Sequence, residues 1–169
     1  MGLDQNHNSK INIHLGSTCG GNLNVAANNF NKNFLKLSES VRSRLTVEND
    51  DKPAMFSTKF LYENIYKFSN VPIVFDSHHF EVGPKDVSYK ESFDMAYDSW
   101  PSNIRPTCHH SNGKKEYEDK TTRSKAAHSN YYYKPFNSLN KSVDIMLEAK
   151  CKEKALMKYR KDFLNINIK

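Results

Sequence analysis

Val71–Phe80 reads VPIVFDSHHF, and the fold turns on this stretch. A short apolar run with β-branched residues stops abruptly at Asp76, His78 and His79. A strand buried on both faces of a parallel sheet has this pattern, and its C-terminal tip is where α/β folds build their sites. Four further stretches repeat the plan. Lys10–Gly16 (KINIHLG) delivers His14, and Arg44–Asp51 (RLTVENDD) delivers Glu48, Asn49, Asp50 and Asp51. Asn103–Ser111 (NIRPTCHHS) delivers His109 and His110, and Val143–Glu148 (VDIMLE) ends in Glu148. Five candidate strands thus carry a His, Asp or Glu at the same end. That arrangement predicts a polynuclear metal site lined by oxygen and imidazole ligands.

The segments between these strands read as helices. Asn22–Ser40 places Leu23, Ala26, Ala27, Phe30, Phe34, Leu35 and Leu37 at helical spacing. Ser57 is the expected N-cap of a helix over Thr58–Phe68. A third helix spans Asp86–Trp100 and is stopped by Pro101, and a fourth spans Lys150–Leu164. Ser111–Lys125 (SNGKKEYEDKTTRSK) reads as a polar surface loop, and Gly16, Gly20 and Gly21 as a plain turn without the Lys-Ser/Thr ending of a phosphate loop. The order β-α-β-α-β-α-β-loop-β-α predicts a parallel sheet with right-handed crossovers. Residues 1–9 are expected to form a disordered tip, and residues 10–169 one domain.

With 169 residues the chain can bury a real core. A net charge of +6 is compatible with nucleic acid but does not require it. Three scattered cysteines, Cys19, Cys108 and Cys151, with no C-x-x-C pair, argue against a zinc ribbon or disulfide scaffold. The polar start MGLDQNHNSK lacks the apolar segment of a secretory signal, and no run approaches the ~20 apolar residues of a membrane span. The expectation is a soluble intracellular protein of cytoplasm or nucleus, with no membrane partner.

ENDD, FDxHH, HHS and EAKxKEKAL occur in that order, and together they resemble the UV damage endonuclease family. The resemblance runs from Ile11 to the last helix. It implies a (β/α)8 TIM-type barrel and DNA repair nicking of the phosphodiester 5′ to a UV photoproduct in double-stranded DNA. It also implies two or three divalent ions, most often Mn2+. Carried over residue by residue, His14, Glu48, Asp76, His79, His109, His128 and Glu148 match the family's metal ligands. Glu48, Asp76 and Glu148 would act in catalysis, and Lys150 would contact DNA. At Thr107 the family usually carries a lysine. A full barrel needs ~250 residues, whereas five strands are legible here, with no counterpart of the family's N-terminal strands. The expected fold is therefore α/β, a partial barrel of about five parallel strands with helices outside.

Other residues near the motifs have plainer readings. Asp50 and Asp51 read as turn or capping residues, His78 and His110 as packed or surface histidines, and Tyr131–Tyr133 as aromatics under a loop. Two functional alternatives stand beside the nuclease. One is a half-barrel that is non-catalytic, or is completed by a separate N-terminal polypeptide. The other is a metal-dependent sugar isomerase or epimerase, which also places Glu, Asp and His at barrel strand ends.

Overall fold

A computed structural model of the chain describes residues 3–165. Positions 1, 2 and 166–169, at the ends of the expected tip and domain, lie outside the described residues. After a 3-10 turn over His7–Ser9 come β1 (Ile11–Ile13), α1 (Leu23–Phe34), α2 (Glu39–Arg42) and β2 (Leu45–Glu48). A continuous helical stretch follows: α3 (Thr58–Leu61), a π-helical turn over Tyr62–Tyr66, and α4 (Lys67–Ser69). Then come β3 (Ile73–Asp76), α5 (Ser77–Val82), α6 (Tyr89–Asp98), β4 (Thr107–His110), α7 (Lys114–Tyr117), β5 (Asp144–Leu147) and α8 (Lys152–Leu164).

The five strands pair in chain order, all parallel. Strands β2 and β4 are next-nearest neighbours, about 9.5 Å apart on a flat sheet. Yet Glu48 on β2 and His109 on β4 meet at 3.2 Å. The sheet therefore curls towards its inner face, as in a segment of a barrel.

Strand alternation divides the residues between two faces. Leu45, Val47, Ile73, Phe75 and Cys108 point outward and pack with Ala26, Phe34, Phe56, Leu61, Ile65 and Phe93 from the helices. Thr46, Glu48, Val74, Asp76, Thr107 and His109 line the inside of the curl. Beneath the polar end of this face lies a small apolar plug of Val74, Trp100 and Ile104. The Trp100 indole N–H donates to the Ile73 carbonyl at 2.8 Å. His7, from the expected tip, stands edge-on to Trp100 at 6.2 Å, and the Arg44 guanidinium holds the Leu3 carbonyl at 3.0 Å.

Several element boundaries follow from capping. Asn22 accepts from Val25 N–H at 3.2 Å, and Ser57 accepts from Phe60 N–H at 3.0 Å. Ser88 and Glu91 form a reciprocal capping box that starts α6. Two expectations are corrected, on the fourth strand and the polar loop, and a helix that the sequence reading did not address follows Asp76. The fourth strand begins at Thr107 rather than Asn103, because Pro106 has no N–H to pair and Ile104 turns back onto Pro101. SHHFEV after Asp76 is helix α5, capped by Asp76 itself. The supposed surface loop has a buried root at Ser111, Asn112 and Gly113, and contains α7.

Candidate metal centre

Six of the seven expected metal ligands lie at the C-terminal ends of the strands or just beyond them, and His128 joins them from the connection between α7 and β5 through the Glu148 carbonyl. Glu48 is the hub. It ends β2, is 3 % exposed, and stands between imidazoles from two other elements. Its Oε1 is 3.1 Å from His79 Nδ1 on α5, and its Oε2 is 3.2 Å from His109 Nδ1 on β4. Asn12 on β1 donates to Glu48 Oε2 at 2.5 Å, and Thr46 donates to Asn12 at 3.0 Å. The chain of contacts continues outward through His109 Nδ1 to Glu148 Oε1 at 3.3 Å, and from Glu148 Oε2 to His128 Nδ1 at 3.9 Å. His14, after the edge strand β1, lies 3.9 Å from Glu48 Oε1. Asp76 is fully buried, with Oδ1 capping α5 through His79 N–H at 2.7 Å.

The electrostatics reflect this crowding. Burial pushes the Glu48 carboxyl up, but His109 and His79 overcome that and hold it well below the usual carboxylate range. His79 moves the other way: burial disfavours its charge, yet Glu48 and Asp76 raise its pKa from 6.5 to about 9. His109 is raised for the same reason, against its own burial, by Glu48, Glu148 and Asp76. His14 is raised chiefly by its hydrogen bond to Asp50.

The donor set fits a divalent cation. His14, Glu48 and His79 offer ligand atoms within 4.8 Å of one another, and so do Glu48, Asp76 and His109. The second oxygens of Asp76 and Asp50 are buried without a hydrogen-bond partner among the described residues. Anionic oxygens left so in the interior call for a cation. In addition, His14, His79 and His128 each place Nδ1 on an oxygen: Asp50 Oδ1 at 3.0 Å, the Asn49 carbonyl at 3.0 Å and the Glu148 carbonyl at 3.2 Å. Fixing one ring nitrogen in this way is how metal-binding imidazoles are oriented.

The neighbouring histidines behave differently. His110 bridges Ser77 Oγ at 2.8 Å and the Lys134 carbonyl at 3.0 Å, and stacks on Tyr132, so it is a satisfied core residue. His78 is buried and stands edge-on to His128 at 5.5 Å. Tyr132 is buried as expected under a loop, whereas Tyr133 is exposed and stacks on Tyr117. Lys150 is exposed beside a shallow pocket that it shares with His128, Glu148 and Lys152. Thr107, in the place of the family lysine, faces inward one pleat below His109, and its hydroxyl has no partner among the described residues.

Three site residues escape the sequence reading. Asp50 serves the turn after β2 with its backbone, while its side chain reaches His14. Asn49 brackets Asp76, donating to its carbonyl at 3.0 Å and accepting its N–H at 2.9 Å. Asn12 holds Glu48. Inward position on β1 was the available signal for Asn12, and the ENDD motif for the other two.

Fold and site together define a curled half of a TIM-type barrel with a carboxylate–imidazole cluster at its strand ends. The chain belongs to the UV-endonuclease UvdE family, whose model matches residues 1–168. It is 33% identical to a UV DNA damage endonuclease of Bacillus cereus (strain G9842) over 159 residues, covering 89% of this chain and 47% of the relative. A UV DNA damage endonuclease of Bacillus anthracis (strain A0248) is 30% identical over 167 residues, covering 94% and 50%. The solved structure of SacUVDE superposes with a TM-score of 0.72 at 28% identity, covering 93% of this chain and 53% of that one. The chain thus spans about half the length of the curated relatives it matches. Among the described residues no helix is long and apolar enough to cross a membrane.

Proposed function

We propose that this chain forms the metal-binding half of a DNA repair endonuclease that nicks the strand 5′ to UV photoproducts. The observation that carries the reading is the Glu48 hub, an ionised carboxylate shared by His79 and His109 within 3.2 Å. Family membership supplies the substrate class and removes the grounds for a sugar isomerase. Four carboxylates, Glu48, Asp50, Asp76 and Glu148, face one end of the sheet, where a phosphodiester would be repelled unless cations intervene. Divalent ions, with Mn2+ the expected one, would activate a water and neutralise the phosphate and leaving oxygen.

The chain's own residues divide the remaining work. Glu48, Asp76 and Glu148 supply anionic oxygens, and His14, His79, His109 and His128 supply imidazoles, the first two and the last each anchored through Nδ1. Asn12 keeps the Glu48 carboxylate turned inward. Lys150, at the open lip beside His128 and Glu148, is placed to meet the DNA backbone. Thr107, where the family usually carries a lysine, offers the inner face only an uncharged hydroxyl.

A second reading is favoured by the sheet edges. Among the described residues, strands β1 and β5 each pair on one side only, and Ile11, Ile13, Ile145 and Met146 on them are exposed. Unpaired apolar edges recruit further strands, so we infer that a complementary N-terminal half-barrel, of the kind the relatives' remaining length would supply, completes the enzyme. The test is nicking of UV-irradiated against untreated supercoiled plasmid in Mn2+, with Glu48→Gln plus Glu148→Gln as control. Damage-dependent nicking lost in the control supports the endonuclease. Nicking that appears only after adding the N-terminal half of a relative supports the completed barrel. A folded chain inactive in both settings overturns the activity.

Metal binding should depend on pH with a definite sign. His79 carries a proton at neutral pH, with its pKa raised to about 9, and a cation must displace that proton. Apparent Mn2+ affinity should therefore rise between pH 6 and 9, by about tenfold per unit for each proton displaced. Calorimetry in two buffers of different ionisation enthalpy reads the proton release directly. An affinity flat across this window would mean that His79 does not ligate.

A further inference from the structure

We propose that Asp50 is a positioning residue for His14, fixing the ring so that Nε2 faces the metal. The inference rests on the reading of the cluster as a metal centre. Of the four imidazoles in the cluster, His14 is the least supported by the fold. It follows a three-residue edge strand, and its side chain is 40% exposed. Nothing in β1 itself restrains the ring. The restraint comes from the next strand. Asp50, two residues past Glu48, is only 4% exposed, and its Oδ1 meets His14 Nδ1 at 3.0 Å. The same ring turns Nε2 towards Glu48 Oε1 at 3.9 Å.

The anchor is itself rigid. Asp50 N–H donates to the Phe56 carbonyl at 2.9 Å, closing the turn after β2. The Asp50 carbonyl is packed against Gly83, at the end of α5, where no side chain would fit. An acidic residue in a mere turn would face water, whereas this carboxylate is buried with one oxygen on an imidazole and the other without a partner among the described residues. A carboxylate that accepts from Nδ1–H selects the tautomer with a free Nε2 and makes that nitrogen a better donor to a metal. Asp50 would act only through His14.

The test uses the full chain with isotopically labelled histidine. In the metal-free protein at alkaline pH, where the ring is neutral, long-range nitrogen–proton spectra should show His14 as the Nδ1–H tautomer. Asp50→Ala should shift it to the Nε2–H tautomer and weaken Mn2+ binding, measured by calorimetry, by about 10–100-fold. Asp50→Asn keeps an oxygen that can accept the same bond, so it should restore the tautomer and most of the affinity. A wild-type His14 in the Nε2–H form overturns the proposal whether or not Asp50→Ala folds. So does a folded Asp50→Ala with unchanged tautomer and affinity. A wild-type chain that binds no Mn2+ but shows the Nδ1–H tautomer, lost in Asp50→Ala, removes the metal centre and leaves Asp50 as the group that orients His14.

Discussion

Glu48→Gln should abolish damage-dependent nicking and weaken Mn2+ binding by two orders of magnitude or more. The change is nearly isosteric, so the loss is electrostatic. Glu48 is buried and is the only carboxylate among the described residues with oxygens within 3.2 Å of two different imidazoles. Breaking a buried charge pair costs roughly 3–5 kcal/mol, and each 1.4 kcal/mol is about tenfold in affinity. The amide also gives the Asn12 donor a poorer partner, because one of its two heavy atoms is itself a donor.

The metal-free variant offers an independent reading. Glu48 heads the groups that raise His79 to about 9 against its burial, so without the charge its pKa should fall, with Asp76 and the Asn49 carbonyl still favouring the charged ring. The linkage follows. A raised imidazole stabilises the native state fully below 6.5, and that contribution fades as pH rises through about 9. In Glu48→Gln this alkaline loss of stability should shrink. Histidine titrations by NMR and thermal melts at pH 6 and 9 measure both effects. A variant with an unaltered His79 titration would show that Glu48 is not the hub.

How much of this was legible beforehand depends on the kind of signal. Strand ends are legible because a buried strand has a period of two and an apolar run, so Glu48, Asp76, His109 and Glu148 could be placed at one end of one sheet. His79 is legible from its spacing after the same strand and from the family motif, although it stands on α5 and not on the strand itself. That helix escaped notice since Asp76 was read as a ligand alone, although Asp is also a strong N-cap. Here Oδ1 caps the helix, while Oδ2 is buried without a hydrogen-bond partner among the described residues, so the cap leaves one oxygen available. Pattern marks the positions of Asp50 and Asn12, through the ENDD motif and strand alternation, but it cannot assign their partners. Their partners lie on neighbouring strands, and which side chains meet across strands depends on register, here Asn12 opposite Thr46. The polar segment after Ser111 misled because charge was read as exposure. Asn112, at its buried root, accepts Tyr133 and Lys134 N–H at 2.6 and 3.0 Å and ties the whole loop down.

Gly83→Ala should cause the largest loss of stability of any single methyl added to the chain's buried glycines, about 3 kcal/mol or more. The backbone at Gly83 has φ −86°, which any residue adopts, so the cost is purely steric. A Cβ there would lie 2.2 Å from the Asp50 carbonyl oxygen and 2.7 Å from that of His79. Both are backbone atoms and neither can swing aside. Either α5 or the turn after β2 must move, and both carry the site. Displacing the turn shifts Asp50 away from His14 and loosens the Asn49 bracket on Asp76. Displacing α5 moves His79. A thermal melt should register a fall of roughly 6–12 °C, and Mn2+ affinity should fall although no ligand has changed. Gly113→Ala is the matched comparison. Its Cβ would approach the edge of the His78 ring at 3.1 Å, a side chain that can yield by a few tenths of an ångström, so about 1 kcal/mol is expected. Equal losses at the two glycines would mean that the close approach of α5 to the Asp50 turn is not what holds the site in register.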